Sequence, residues 1–190
     1  PDSNTIVFPA AILQKPFYSE TEQTKSQNYG GIGAVIAHEI SHAFDNNGAL
    51  FDAFGNMNNW WTDEDFKAFE TKQELMIAEF DGLDIAGAKV NGKLVVSENI
   101  ADAGGLTAAM TAALRETDVD LKAFFTQWGE IWRIKASQEY QQMLLSMDVH
   151  APGKLRANIQ VSNLDEFFDT FDVKEGDGMW RSETDRVKIW

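Results

Sequence analysis

The chain has 190 residues, 44% of them hydrophobic and 24% charged, which is the composition of one globular domain with its own buried core. A formal net charge of -14 argues against nucleic acid and anionic membrane surfaces as partners, because both bind through clustered Lys and Arg. The absence of cysteine excludes disulfides, thiol catalysis and thiolate metal sites, so any metal must be held by His and carboxylates.

No apolar run approaches the ~20 residues that span a bilayer, so this segment is not itself membrane-inserted. The first residue is Pro1 rather than Met, which reads as a segment of a longer chain and leaves localisation open. From Asn4 to Leu13, β-branched and aromatic residues with Pro9 among them predict an edge strand or extended segment. The polar stretch Pro16 to Asn28 reads as a loop. Val35, Ile36, Ile40 and Phe44 then recur at helical spacing and predict a helix from about Tyr29 to Asp45. A turn-rich loop follows, with an aromatic end at Asn58 to Trp61. Thr62, followed by three acids, caps the next helix, whose apolar face is Phe66, Phe69, Ile77 and Phe80.

The Asn91-Gly92 pair between β-prone runs predicts a small hairpin or tight turn. Ser97 is the expected cap of a third helix, SENIADAGGLTAAMTAALRE. A long helix is predicted from about Leu121 to Met147, with Phe124, Phe125, Trp128, Ile131, Trp132, Tyr140 and Leu144 as its buried stripe. DVHAPGKLR reads as a loop that Pro152 and Gly153 keep non-helical. Asn163 and Glu166 form a capping pair for a last short helix through Phe171.

Chemistry concentrates in three places. In His38-Glu39-Ile40-Ser41-His42 the histidines stand four apart on a helix, so their rings share a face and can grip one ion, with Glu39 beside them. Two of the three histidines in the chain fall in this motif. A catalytic zinc needs a third protein ligand and an open fourth position. Glu98 and Asp102 also share a helix face, so one carboxylate can ligate while the other orients a histidine. His150 and Arg156 sit in the DVHAPGKLR segment, where an N–H donor or a cation can stabilise an oxyanion or hold a carbonyl.

The segments IVFPAAILQ, NYGGIGAVIAHEISHAFD, SENIADAGG and DVHAPGKLR, with Trp190, give the chain a resemblance to the neprilysin-like peptidases, family M13 of the gluzincins. The lack of cysteine makes it similar to the bacterial endopeptidase O type. The resemblance implies a mainly α, thermolysin-like zincin domain with a small β element, spanning 1–190 as the C-terminal catalytic portion of a longer protein. It implies one zinc ion per chain on His38, His42 and Glu98, with Glu39 as general base. Asp102 is the implied partner of a zinc histidine, His150 the transition-state stabiliser, Arg156 the substrate-carbonyl clamp, and Asp148 the residue orienting His150. The implied reaction is hydrolysis of short peptides on the amino side of hydrophobic residues. The implied partners are peptides and an upstream helical domain of the same protein; the compartment stays open, with the bacterial cytoplasm favoured and a periplasmic or secreted location as the alternatives. A non-catalytic module of the same fold, or a zinc hydrolase acting on other substrates, is the competing reading; retention of base, ligands and stabiliser together argues against the first.

Overall fold

The helix that carries both motif histidines starts earlier, and runs less regularly, than hydrophobic periodicity predicts. In the computed structural model, which describes residues 3–190, helix α1 (Lys25–Asn28) opens inside the stretch expected to be a loop. Thr24 accepts from the Gln27 backbone while the Gln27 side chain accepts from Thr24 N, a reciprocal capping box. The helical path continues through a π turn at Tyr29–Gly33, helix α2 (Ala34–Ser41) and a 3-10 turn at His42–Phe44. Gly30 lies in the π turn, where an added Cβ would stand 2.1 Å from the Phe124 carbonyl oxygen. The wide turn and the missing side chain together allow that backbone approach. Upstream, no strand forms at Asn4 to Leu13 among the described residues; Pro9 precedes a single 3-10 turn at Ala10–Ile12. A strand needs a partner edge, and the one sheet among the described residues lies elsewhere.

Helix α3 (Asp63–Phe80) begins where expected, with the Thr62 hydroxyl accepting from Asp65 N and with Phe69, Ile77 and Phe80 buried. The hairpin formed by β1 (Asp84–Ile85) and β2 (Ala88–Lys89) turns at Ala86 and Gly87, both with positive φ, rather than at Asn91-Gly92. Asn91 instead caps helix α4 (Gly92–Ala113), its side chain accepting from Lys93 N and Leu94 N. Asn serves a cap as readily as a turn, so Ser97 lies inside the helix instead of starting it. Helix α4 contributes apolar residues to two cores while its turns over 97–102 carry the polar residues of the site. On one side Leu106, Ala109 and Met110 meet Phe124, Phe125 and Trp128; on the other Val95, Val96 and Ile100 meet Phe69, Met76, Phe80 and Leu155.

The predicted 27-residue helix is two helices, α5 (Leu121–Ile131) and α6 (Gln138–Met147). Ser137 accepts from Tyr140 N and restarts the helix on a new axis, so Tyr140 is exposed and Leu144 only half-buried. Helix α7 (Gly153–Ile159) likewise begins where a loop was expected. Proline is tolerated at a helix entry, where its missing N–H has no partner to lose, so Pro152 leads into α7 rather than preventing it. Helix α8 (Asp165–Phe171) forms with Leu164 at its cap position. Asn163 does not cap it; its side chain accepts from Val187 N and donates to Glu79, tying the final segment to α3. Val187 and Ile189 complete the second core.

Candidate metal centre

Helices α2 and α4 cross in backbone contact, and the contact occurs at the site. A Cβ on Gly105 would stand 2.5 Å from His38 N, so only glycine lets α4 approach this closely. That crossing brings Glu98 to the face shared by His38 and His42. The Glu98 Oε2 atom lies 3.2 Å from His38 Nε2 and 3.4 Å from His42 Nε2, and the two Nε2 atoms are 3.1 Å apart. One ligand atom from each of the three residues falls within 4.8 Å of the others, a group that could hold a metal ion.

The opposite ring nitrogens are already committed. His38 Nδ1 donates to Asp102 Oδ1 at 2.8 Å and His42 Nδ1 donates to Asp45 Oδ2 at 2.6 Å. A carboxylate only accepts, so each Nδ1 carries a proton, and once each ring is neutral its Nε2 lone pair faces Glu98. With both rings neutral, two lone pairs and a carboxylate oxygen at these distances repel unless positive charge sits among them, and a divalent cation, or protons on Nε2 in its place, supplies that charge. The electrostatics agree. Burial disfavours the imidazolium of His42, but hydrogen bonds to Asp45 and Glu98 outweigh it and push the ring up to about 10. Burial likewise opposes the charge on His38, yet Asp102 and Glu98 raise it to about 8. Burial would raise the Glu98 carboxyl, and His150, His38 and His42 hold it well below the usual range. The donor set of two imidazoles and one carboxylate fits zinc.

Asp102 is fully buried and accepts from three donors: His38, Arg156 Nε at 2.7 Å and Arg156 Nη2 at 2.7 Å. Arg156 is on α7 and stacks over the Trp132 ring at 3.6 Å. His150 stands outside the three-residue group, with Nε2 3.2 Å from Glu98 Oε2 and Nδ1 2.8 Å from Asp148 Oδ1. Its hydrogen bond to Glu98 raises the ring above its ordinary value. Glu39, one residue past His38, lines a hollow of about 330 Å³ with Asn4, Ile6 and His42. Direct contacts link six of the seven residues singled out in the sequence, His38, His42, Glu98, Asp102, His150 and Arg156; Glu39 shares a hollow with His42, and Asp148 joins through His150.

Asp45 and Ser97 were missed. Asp45 is buried, and its Oδ2 also accepts from Ser97 Oγ at 2.5 Å. The signal for Asp45 was an acid three residues past His42, within one further helical turn.

Residues 1–187 match the family model described as peptidase family M13. Over 190 residues the chain is 72% identical to the neutral endopeptidase of Lactococcus lactis subsp. lactis (strain IL1403), with 100% of this chain and 30% of that protein covered. It is 38% identical to human membrane metallo-endopeptidase-like 1, of which it covers 26%. Among solved structures, PepO from Lactobacillus rhamnosis superposes with a TM-score of 0.91 at 47% identity, covering 96% of this chain and 29% of that one. A zinc metalloprotease of Mycobacterium tuberculosis, in complex with an inhibitor, superposes with a TM-score of 0.92 at 37% identity, covering 100% and 31%. The chain therefore spans under a third of the length of these relatives, and its mainly helical fold is that of the M13 zinc metalloproteases. With sequence similarity and fold in agreement along its length, the chain belongs to peptidase family M13.

Proposed function

We propose that this chain is the catalytic portion of a zinc metalloendopeptidase, with one zinc ion held by His38, His42 and Glu98. The observation that carries the reading is the convergence of three ligand atoms whose outer partners are already fixed, with Glu39 adjoining. When bound, zinc supplies Lewis acidity, lowering the pKa of a water from 15.7 to ~7 and polarising a peptide carbonyl. Glu39 accepts the proton of the attacking water and passes it to the leaving amine. His150 donates Nε2–H to the oxygen on which negative charge develops, and Asp148 keeps its ring turned for that task. Asp102 fixes His38, and Arg156, whose Nε and Nη2 are committed to Asp102, has Nη1 left to hold a substrate carbonyl.

A cleft of about 510 Å³ opens beside His150 and Arg156, walled by Trp132, Ile134, Tyr140 and Leu144. Its apolar walls suit a hydrophobic side chain next to the reacting carbonyl, which supports a preference for hydrophobic residues in short peptides; cleavage on their amino side is the part of the proposal that the family resemblance implies. The relatives are more than three times as long as this segment, and a helical upstream part of the whole protein is proposed to cover the site. Exposed Phe44, Phe54, Met57 and Trp60 near the histidine helix supply apolar surface for it.

Metal analysis of the intact protein is expected to find about one zinc per chain. Glu39→Gln is expected to keep the zinc while peptide hydrolysis falls ~10²- to 10⁴-fold, since the amide keeps the shape but accepts no proton. Undiminished hydrolysis by that variant would remove Glu39 as the base.

A further inference from the structure

The two histidines of the metal centre are not held alike. His38 lies within α2, pinned by the Gly105 contact and by Asp102. His42 lies just past the end of α2, as the first residue of a 3-10 turn, where the regular helical ladder gives way to the loop that follows. Asp45, which orients His42, divides four donors between its oxygens. Oδ1 accepts from Asn47 N and Gly48 N, both at 2.7 Å, and Oδ2 accepts from His42 Nδ1 and from Ser97 Oγ. Ser97 belongs to α4 and immediately precedes Glu98. Its hydroxyl also accepts from Asn47 Nδ2 at 3.1 Å, so its single proton points at Asp45. Serine inside a helix commonly bonds back to its own backbone, whereas this one reaches across to another segment.

We propose that Ser97 is a positioning residue of the metal site: it clasps the loop after His42 to the helical turn that presents Glu98, and so sets the spacing between two ligands. The proposal rests on His38, His42 and Glu98 being the zinc ligands. Asn47, Ser97 and Asp45 form one hydrogen-bonded relay ending at His42 Nδ1, and a break at Ser97 frees both the carboxylate and the loop.

Chelator-competition titration with zinc, on the intact protein, tests this. Ser97→Ala is expected to weaken zinc binding ~10- to 100-fold, as the loss of a partner behind a ligand does. Ser97→Thr, which keeps the hydroxyl, should restore it. On an Asp45→Ala background the same serine change should add little, because Ser97 acts through Asp45. Zinc affinity of Ser97→Ala equal to wild type, even with a lowered metal-free melting temperature, overturns the proposal. So does a loss that adds in full to that of Asp45→Ala. Wild-type zinc affinity in His42→Ala would instead remove the ligand assignment beneath it.

Discussion

Two histidine–aspartate pairs flank Glu98 with matching geometry and opposite surroundings. His38 Nδ1 and His150 Nδ1 each lie 2.8 Å from an aspartate Oδ1, and each Nε2 lies 3.2 Å from Glu98 Oε2. The Asp102 side chain is 0% exposed and Asp148 34%, while the His38 ring is 7% exposed and His150 43%. The buried pair joins two helices across 64 residues of sequence; the exposed pair is two residues apart in one loop. Burial decides what each can do. A charge network without access to water must stay assembled, and this suits a metal ligand. A pair open to solvent can meet a substrate directly, and this suits a donor held ready for the oxygen on which charge develops.

The largest effect should come from breaking the buried pair. Asp102→Ala leaves Arg156 buried without its counter-charge and His38 without its acceptor, so unfolding free energy should fall by ~3–5 kcal/mol. Denaturant titration of the metal-free protein measures it. If Asp102→Ala proves as mild as the equivalent change at Asp148, burial does not separate the two pairs. His150→Phe should leave fold and zinc content in place and lower kcat ~10²- to 10³-fold with little change in KM. Loss of zinc in that variant would make His150 a ligand and put Glu98 in question.

Proton competition sharpens the contrast further. His38 is raised to about 8 in the metal-free protein, above the ordinary 6.5. The stability it contributes is therefore fully present below about 6.5 and lost as pH rises through about 8. Zinc needs both rings neutral, so its affinity should rise with pH by about tenfold per unit for each proton displaced, and should go on rising above 8 because His42 is raised to about 10. Zinc titrations from pH 6 to 9 should show this slope in wild type and in His150→Phe alike. A slope that weakens in His150→Phe would mean that His150 shares the metal's protons.

The site was legible in the sequence where chemistry is local. The i, i+4 spacing of His38 and His42, and of Glu98 and Asp102, needs only a helix to become a shared face. What local spacing does not carry is which turn ends a helix and which distant side chain meets it. Asn91 took the cap expected of Ser97, Ser137 split the helix expected to reach Met147, and α7 begins at Gly153 within the expected loop. The bidentate contact of Arg156 with Asp102 spans 54 residues and depends on how α7 docks on α4. Asp45 was overlooked because its role depends on a 3-10 turn bringing the chain back toward His42.

The smallest effect should come from the exposed aspartate itself. Asp148 Oδ1 accepts from both the backbone N and the ring Nδ1 of His150, so it fixes the ring relative to its own loop rather than to the core. Burial alone would raise its carboxyl, and the His150 hydrogen bonds keep it below the ordinary value, so it is charged at neutral pH. Asp148→Asn keeps an acceptor oxygen for both contacts and removes only the charge, which water and salt screen at this exposure. Its kcat should therefore fall less than in Asp148→Ala, and both should fall less than in His150→Phe. Melting temperature and zinc content should stay near wild type in both. The ranking His150→Phe, Asp148→Ala, Asp148→Asn in kcat is the signature of a residue that acts by holding another in place. If Asp148→Asn is instead as slow as His150→Phe, the negative charge itself is needed, and the exposed pair depends on electrostatics as much as the buried one does.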